Sequence, residues 1–184
     1  MIFIVLIAVA FILFYCYNSI VMKRNAVENA NSSLDAILKK RYDMLPNVVA
    51  SVQQSMQFES GTLEKIVALR NATSVGNLQS SERANSENEL SALLSKVLVT
   101  VENYPDLKAN ENILHLQRSI MDIEEQISAA RRAYNSCVLS YNNQIQTIPS
   151  NLVADLMKAT KMSYFESAAT EKENVSVKDL FNEK

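Results

Sequence analysis

Residues 1–22 carry no charged side chain, and only Asn18 and Ser19 interrupt an otherwise apolar run. A helix of that length rises about 33 Å, enough to cross a hydrocarbon core about 30 Å thick. Tyr15 and Tyr17 stand near its C-terminal end, where amphipathic rings favour the headgroup level, and Lys23 and Arg24 follow at once. The competing reading is a cleaved signal peptide. That needs a basic segment ahead of the apolar core and small residues at the cleavage point. No basic residue precedes this core, and Tyr15-Cys16-Tyr17 is bulky, so an uncleaved membrane anchor over 1–22 is expected. Phe14 and Tyr15 likewise replace the small residues that lipid attachment at Cys16 would require.

The flanks set an expected orientation. Lys23, Arg24, Lys39, Lys40 and Arg41 all lie downstream of the span. The positive-inside bias therefore places the body in the cytoplasm and the N-terminus outside, at a cell (inner) membrane. The remaining cysteine, Cys137, is far from Cys16, and no intramolecular disulfide framework is expected.

The rest of the chain reads as helix. With two glycines and three prolines in 184 residues, the turns of a sandwich or barrel cannot be built, and glycine-rich nucleotide loops are excluded as well. Val27, Ala30, Leu34, Leu38, Leu45, Val48, Val52 and Met56 recur at threes and fours or their sums, one stripe of a helix continuous with the anchor. Pro46 within it predicts a kink rather than a stop. Gly61 is expected to end that helix, with Leu63, Ile66, Val67 and Leu69 forming a short continuation or a separate piece. Polar, aperiodic Asn71–Ser86 reads as a loop.

Leu90, Leu94, Val97, Val101 and Tyr104 predict a second core helix ended by Pro105. The clearest stripe follows: Ile113, Leu116, Ile120, Ile123, Ile127, Ala130, Tyr134, Cys137 and Tyr141, shifting by one residue to Val138, Tyr141, Ile145 and Ile148. A helix from Asn110 to Ile148 is about 58 Å long and must bury this stripe on other helices. Pro149 closes it, and Ser150 is expected to cap a short last helix to about Met157. The predicted fold is all-α, an N-terminal transmembrane helix continuous with an elongated antiparallel bundle of long helices. The expected divisions are an anchor over 1–22, a coiled-coil-like bundle over 23–160 and a loosely ordered tail over 161–184.

Several blocks of the chain resemble the LemA family. Tyr104-Pro105-Asp106-Leu107-Lys108-Ala109-Asn110-Glu111-Asn112 is similar to its signature, as are Ala130-Arg131-Arg132-Ala133-Tyr134-Asn135 and Tyr141-Asn142. Leu38 to Val49 and Pro149 to Ala154 resemble further blocks, in the same order. The chain departs from the pattern at Asn31, where tryptophan is frequent, and at Ile148, where phenylalanine is usual. The resemblance implies a single N-terminal membrane helix and a cytoplasmic antiparallel bundle of long helices, and it supplies no enzymatic activity. Some relatives lie beside genes for membrane proteases, and one branch belongs to the membrane organelles of magnetotactic bacteria.

Candidate chemistry is sparse. Asn103–Asn112 reads either as a polar recognition site or, preferably, as a helix–helix turn. In the turn Asp106 and Asn110 accept backbone amide bonds, Tyr104 closes a core layer and Pro105 makes the corner. His115 is the only histidine, and with Glu111 it offers too few ligands for a metal site or a triad. Asp122, Glu124 and Glu125 are expected to face water, and Cys137 to be a small buried residue. Tyr134 and Tyr141, with Asn135 and Asn142, repeat at seven residues and share a face. Two readings stand: a polar ladder that fixes register or grips a partner helix, or boundary residues with exposed amides. Arg131 and Arg132 are expected to pair with Asp43 or Glu28.

Lys39-Lys40-Arg41 stands about 25 Å from the anchor's end, too far for lipid, so a protein or intramolecular acidic partner is expected. No catalytic residue, cofactor, metal, nucleic acid or small-molecule substrate is anticipated; charge is nearly balanced at 18 basic against 20 acidic. The expected partners are the lipid bilayer, further copies of the chain in a homo-oligomer, and in a second reading a membrane protease or sensor. Function is read first as a membrane-anchored scaffold, next as an adaptor docking through its C-terminal tail, and last as an enzyme.

Overall fold

A computed structural model describes residues 1–55, 60–74, 80–102 and 110–165. Helix α1 (Ile2–Ser55) runs through the apolar segment, past Lys23 and Arg24 and through Pro46 for 54 residues, about 81 Å. It is long and apolar enough to cross a membrane. Around its far end lie α2 (Ser60–Ser74) and α3 (Ser80–Glu102), and along its length lies α4 (Glu111–Gln146), followed by the short, seven-residue α5 (Ser150–Leu156). No strand occurs among the described residues.

Hydrogen bonds set the directions. Lys23 Nζ donates to Ser140 Oγ (2.6 Å) and Arg41 Nη1 to Glu124 Oε1 (2.8 Å), so α4 descends as α1 rises. Arg83 bonds Asp35 and Arg41 bonds Ser91, so α3 runs with α1 and against α4. Two cores result. The far one gathers Leu34, Leu38, Leu45, Val48 and Val52 of α1 with Leu63 and Ile66 of α2, Leu90, Leu94 and Val97 of α3, and Ile120, Ile123 and Ile127 of α4. Nearer the anchor, Cys16, Ile20 and Val27 pack on Val138, Tyr141, Ile145, Val153 and Ala154. Both cysteines are free thiols.

The stripes read from sequence are the buried faces of α1, α3 and α4, because a 3.5–3.6 residue period is a direct image of a helix lying on a core. Four expectations need correction. Gly61 does not end the first helix: it lies in the first turn of α2, where its amide needs no helical partner and a Cβ would meet nothing within 4 Å. Asn71–Ser86 is not one loop. Helix α2 continues to Ser74 and α3 starts at Ser80, with only 75–79 outside the described residues. Its polar residues are spent on helix ends and inter-helix bonds: Thr73 returns its hydroxyl to the Leu69 carbonyl, and Arg83 reaches Asp35.

The third correction is Ser150. Its hydroxyl donates to the carbonyls of Gln144 (2.6 Å) and Thr147 (2.9 Å), tying off the end of α4, while Pro149 occupies the capping position of α5. The fourth is Ile148, expected in the stripe but 85 % exposed, because α4 ends at Gln146 and the chain turns away. Helix α5 closes with a Schellman turn: Lys158 takes φ 52°, its amide donates to Asp155 O, and the Ala159 amide donates to Ala154 O. The turn sends the chain back along α4.

Candidate functional site

Two polar constellations stand out, and both join separate parts of the chain. The first lies in the far core. Leu34, Leu38, Arg41, Leu45 and Val48 step 4-3-4-3 along α1, so Arg41 occupies a core position and is fully buried. Glu87 occupies the matching place on α3, one turn before Leu90 and two before Leu94, and is also fully buried. Arg41 Nη2 bonds one Glu87 oxygen and the Tyr42 hydroxyl donates to the other. Arg41 Nη1 also donates to Ser91 Oγ and to Glu124 Oε1, both at 2.8 Å, and Ser91 Oγ donates to Glu124 Oε2 at 2.7 Å. Burial pushes the Arg41 guanidinium below its usual pKa, and the adjacent Glu124 carboxylate pulls it back up. Lys39 and Lys40 stay exposed.

Three helices are thereby locked in register by charge. Among the described residues, the acidic partners of the basic cluster are intramolecular and belong to Arg41. Glu124 does not simply face water as expected; its side chain is 26 % exposed and closes the network. The sequence held the signal for this pair: a charged residue in phase with the apolar stripe of two different helices.

The second constellation is the asparagine ladder on α4. Asn142 Nδ2 donates to Met162 O, and the Met162 amide donates back to Asn142 Oδ1, both at 2.9 Å. Seven residues earlier, Asn135 Nδ2 donates to Phe165 O (3.0 Å) and receives the Phe165 amide (2.8 Å). Each side-chain amide thus pairs with a backbone residue as a neighbouring strand would. Between them the Tyr134 hydroxyl donates to Ser163 O at 3.1 Å, and burial pushes its phenol pKa up. The spacing has a geometric reason. Seven helical residues rise about 10.5 Å, and three residues of extended chain cover about 10 Å. A heptad of asparagines is therefore in step with every third residue of an extended segment. Met162 packs against the core near the anchor and Phe165 against the far one, with Arg131 stacked over the Phe165 ring at 4.5 Å.

The ladder grips the chain's own C-terminal segment, an alternative that spacing on one helix did not suggest. Arg131 donates to Asn88 Oδ1 and Arg132 to Ser128 Oγ, rather than to Asp43 or Glu28; Glu28 instead takes Arg24. Tyr141 is buried in the core near the anchor, and Cys137 packs half-buried beside it. Asn110 caps α4, its side chain accepting the Asn112 amide at 3.0 Å. Tyr104, Pro105 and Asp106 lie outside the described residues. His115 is exposed, and among the described residues no three metal-ligating side chains come together.

A model of the LemA family matches residues 30–178. The chain is 27 % identical over 165 residues to Protein LemA of Metamycoplasma hominis, covering 90 % of this chain and 75 % of that protein. It is 26 % identical over 90 residues to Magnetosome protein MamQ 2 of Paramagnetospirillum magneticum, covering 49 % of this chain and 33 % of the relative. A third relative, Magnetosome protein MamQ of Magnetospirillum gryphiswaldense, is 26 % identical over 72 residues, covering 39 % of this chain and 26 % of its own length. The chain therefore spans a third or less of the MamQ proteins. The matched region contains both the buried Arg41 network and the Asn135–Asn142 ladder, and the chain that carries them belongs to the LemA family.

Proposed function

We propose that this protein is a non-enzymatic, membrane-anchored scaffold whose bundle projects into the cytoplasm and self-associates. One observation carries the reading. The groups best equipped for chemistry, Arg41, Glu87, Glu124, Asn135 and Asn142, are committed to holding helices and chain segments to each other. Residues 2–15 are exposed along one face-less apolar stretch of α1, a surface suited to lipid. A rod tethered at one end is concentrated and aligned with its neighbours, which favours weak lateral contacts. The names of the relatives are not those of enzymes. Lys23 and Arg24 at the exit support an N-terminus outside.

A second reading, an adaptor or regulator of a membrane protease or stress sensor, draws on the ladder. By fixing residues 162–165, the ladder gives whatever follows a defined starting point on the bundle. Deleting Asn174–Lys184 separates the two. In membranes treated with a short amine-reactive cross-linker, the scaffold reading expects homo-oligomer bands of undiminished intensity. Loss of a cross-linked membrane protein, with no homo-oligomer in either form, would replace it by the adaptor reading.

A further inference from the structure

The apolar run and the fold disagree about where the anchor ends. Residues 1–22 are charge-free, yet Cys16 and Ile20 are only 5 % and 1 % exposed because the bundle already covers them. The uncovered part, Ile2–Tyr15, rises about 21 Å, short of a hydrocarbon core about 30 Å thick. To span the bilayer, α1 must therefore sink further, and whatever is packed beside residues 16–22 sinks with it.

What is packed there is suited to lipid. Between Arg132 and Asp155 the chain has no charged residue, a second charge-free stretch lying antiparallel to the first. Its turn, from Gln144 through Thr147, Ile148, Pro149 and Ser150, borders Phe11, Ile12, Tyr15 and Cys16 across one open cleft. There Ile148 is 85 % exposed, and on α5 Leu152 and Leu156 are 61 % and 82 % exposed, one turn apart on the same face. The opposite face of α5 already buries Val153 and Ala154 against the bundle. In water, a seven-residue helix with two apolar faces is a poor structure; at a bilayer surface each face has its own solvent. Lys158 and Lys161 follow directly, both exposed, where cationic side chains meet headgroups.

We infer that the α4–α5 corner is a second membrane contact: Ile148, Leu152 and Leu156 insert into the acyl–headgroup boundary beside the anchor. The inference rests on the reading of α1 as a membrane span. The bundle would then be seated in the bilayer at two points, which fixes its tilt and rotation rather than leaving it to swing on one helix.

The chain contains no tryptophan, so a single introduced one reports its own surroundings. The full chain is reconstituted in phosphatidylcholine vesicles mixed from lipids brominated near the headgroup and near the chain end, in four versions: Ile148→Trp, Leu156→Trp, Leu13→Trp in the anchor and Met121→Trp on the far bundle. Expected are blue-shifted emission and loss of most of its intensity for Ile148→Trp and Leu156→Trp, as for Leu13→Trp, with Met121→Trp unquenched. If Leu13→Trp is quenched while Ile148→Trp and Leu156→Trp both emit as in water, the second contact is overturned and the anchor stands. If Leu13→Trp also escapes quenching, the span itself is overturned. Helical circular dichroism equal to the parent shows that each version is folded.

Discussion

Arg41→Ala is expected to cost about 3–5 kcal/mol, because it strips the partner from a carboxylate that has no water to replace it. Glu87 is fully buried, and Tyr42 alone cannot neutralise it. At about 2–4 °C per kcal/mol for a chain of this size, the melting midpoint of the detergent-solubilised protein should fall by about 10 °C. Glu87→Ala should cost less, about 1–3 kcal/mol, because Arg41 Nη1 keeps its bonds to Glu124 and Ser91. Removing both charges at once, as Arg41→Met with Glu87→Met, should recover much of the loss, since desolvating a buried pair consumes most of its attraction. A single-substitution loss under about 1 kcal/mol would mean the pair is solvated and does not lock α1, α3 and α4.

Asn135→Ala and Asn142→Ala should act differently, on one segment rather than on the whole fold. Each removes two bonds to a backbone residue, at about 1 kcal/mol net per bond. Undocking of residues 162–165 is the cheaper response than leaving their amides and carbonyls unpaired, so the double substitution should open the segment locally. Trypsin cleavage after Lys161 then accelerates, about tenfold for each 1.4 kcal/mol of docking energy lost when opening is fast, while the melting midpoint moves little. Asn142→Asp keeps the acceptor for the Met162 amide but sets a carboxylate oxygen against Met162 O. It should therefore loosen the segment although it changes no shape. Unchanged cleavage in the double variant would show that Met162 and Phe165 hold the segment by packing alone.

The helices were legible because burial on one face repeats with the helix period. Leu34, Leu38, Leu45 and Val48 mark α1, Leu90, Leu94 and Val97 mark α3, and Ile120, Ile123 and Ile127 mark α4. The shift from Tyr134–Cys137 to Val138 was also legible, since a helix of 3.6 residues per turn drifts from a strict heptad and must change its buried column. Where apolar residues thin out, the reading failed. Ala84 and Glu87 lie in the core phase of α3 but inside a polar stretch, which hides the first turns of that helix from a periodicity argument. The ladder's residues were found and its partner was not. Backbone groups of Met162 and Phe165 accept and donate whatever their side chains are, and such recognition leaves no mark in sequence. Ile148, in phase with its stripe, was misplaced because the chain leaves the helix two residues earlier.

Self-association of the anchored bundle, as proposed, leaves a mark on the size of the extracted particle. The decisive quantity is the particle mass of the chain after mild detergent extraction, by light scattering with the bound detergent subtracted. Self-association predicts a uniform mass of two or more whole multiples of 20.6 kDa. A clean monomer at membrane-like protein-to-detergent ratios would contradict it.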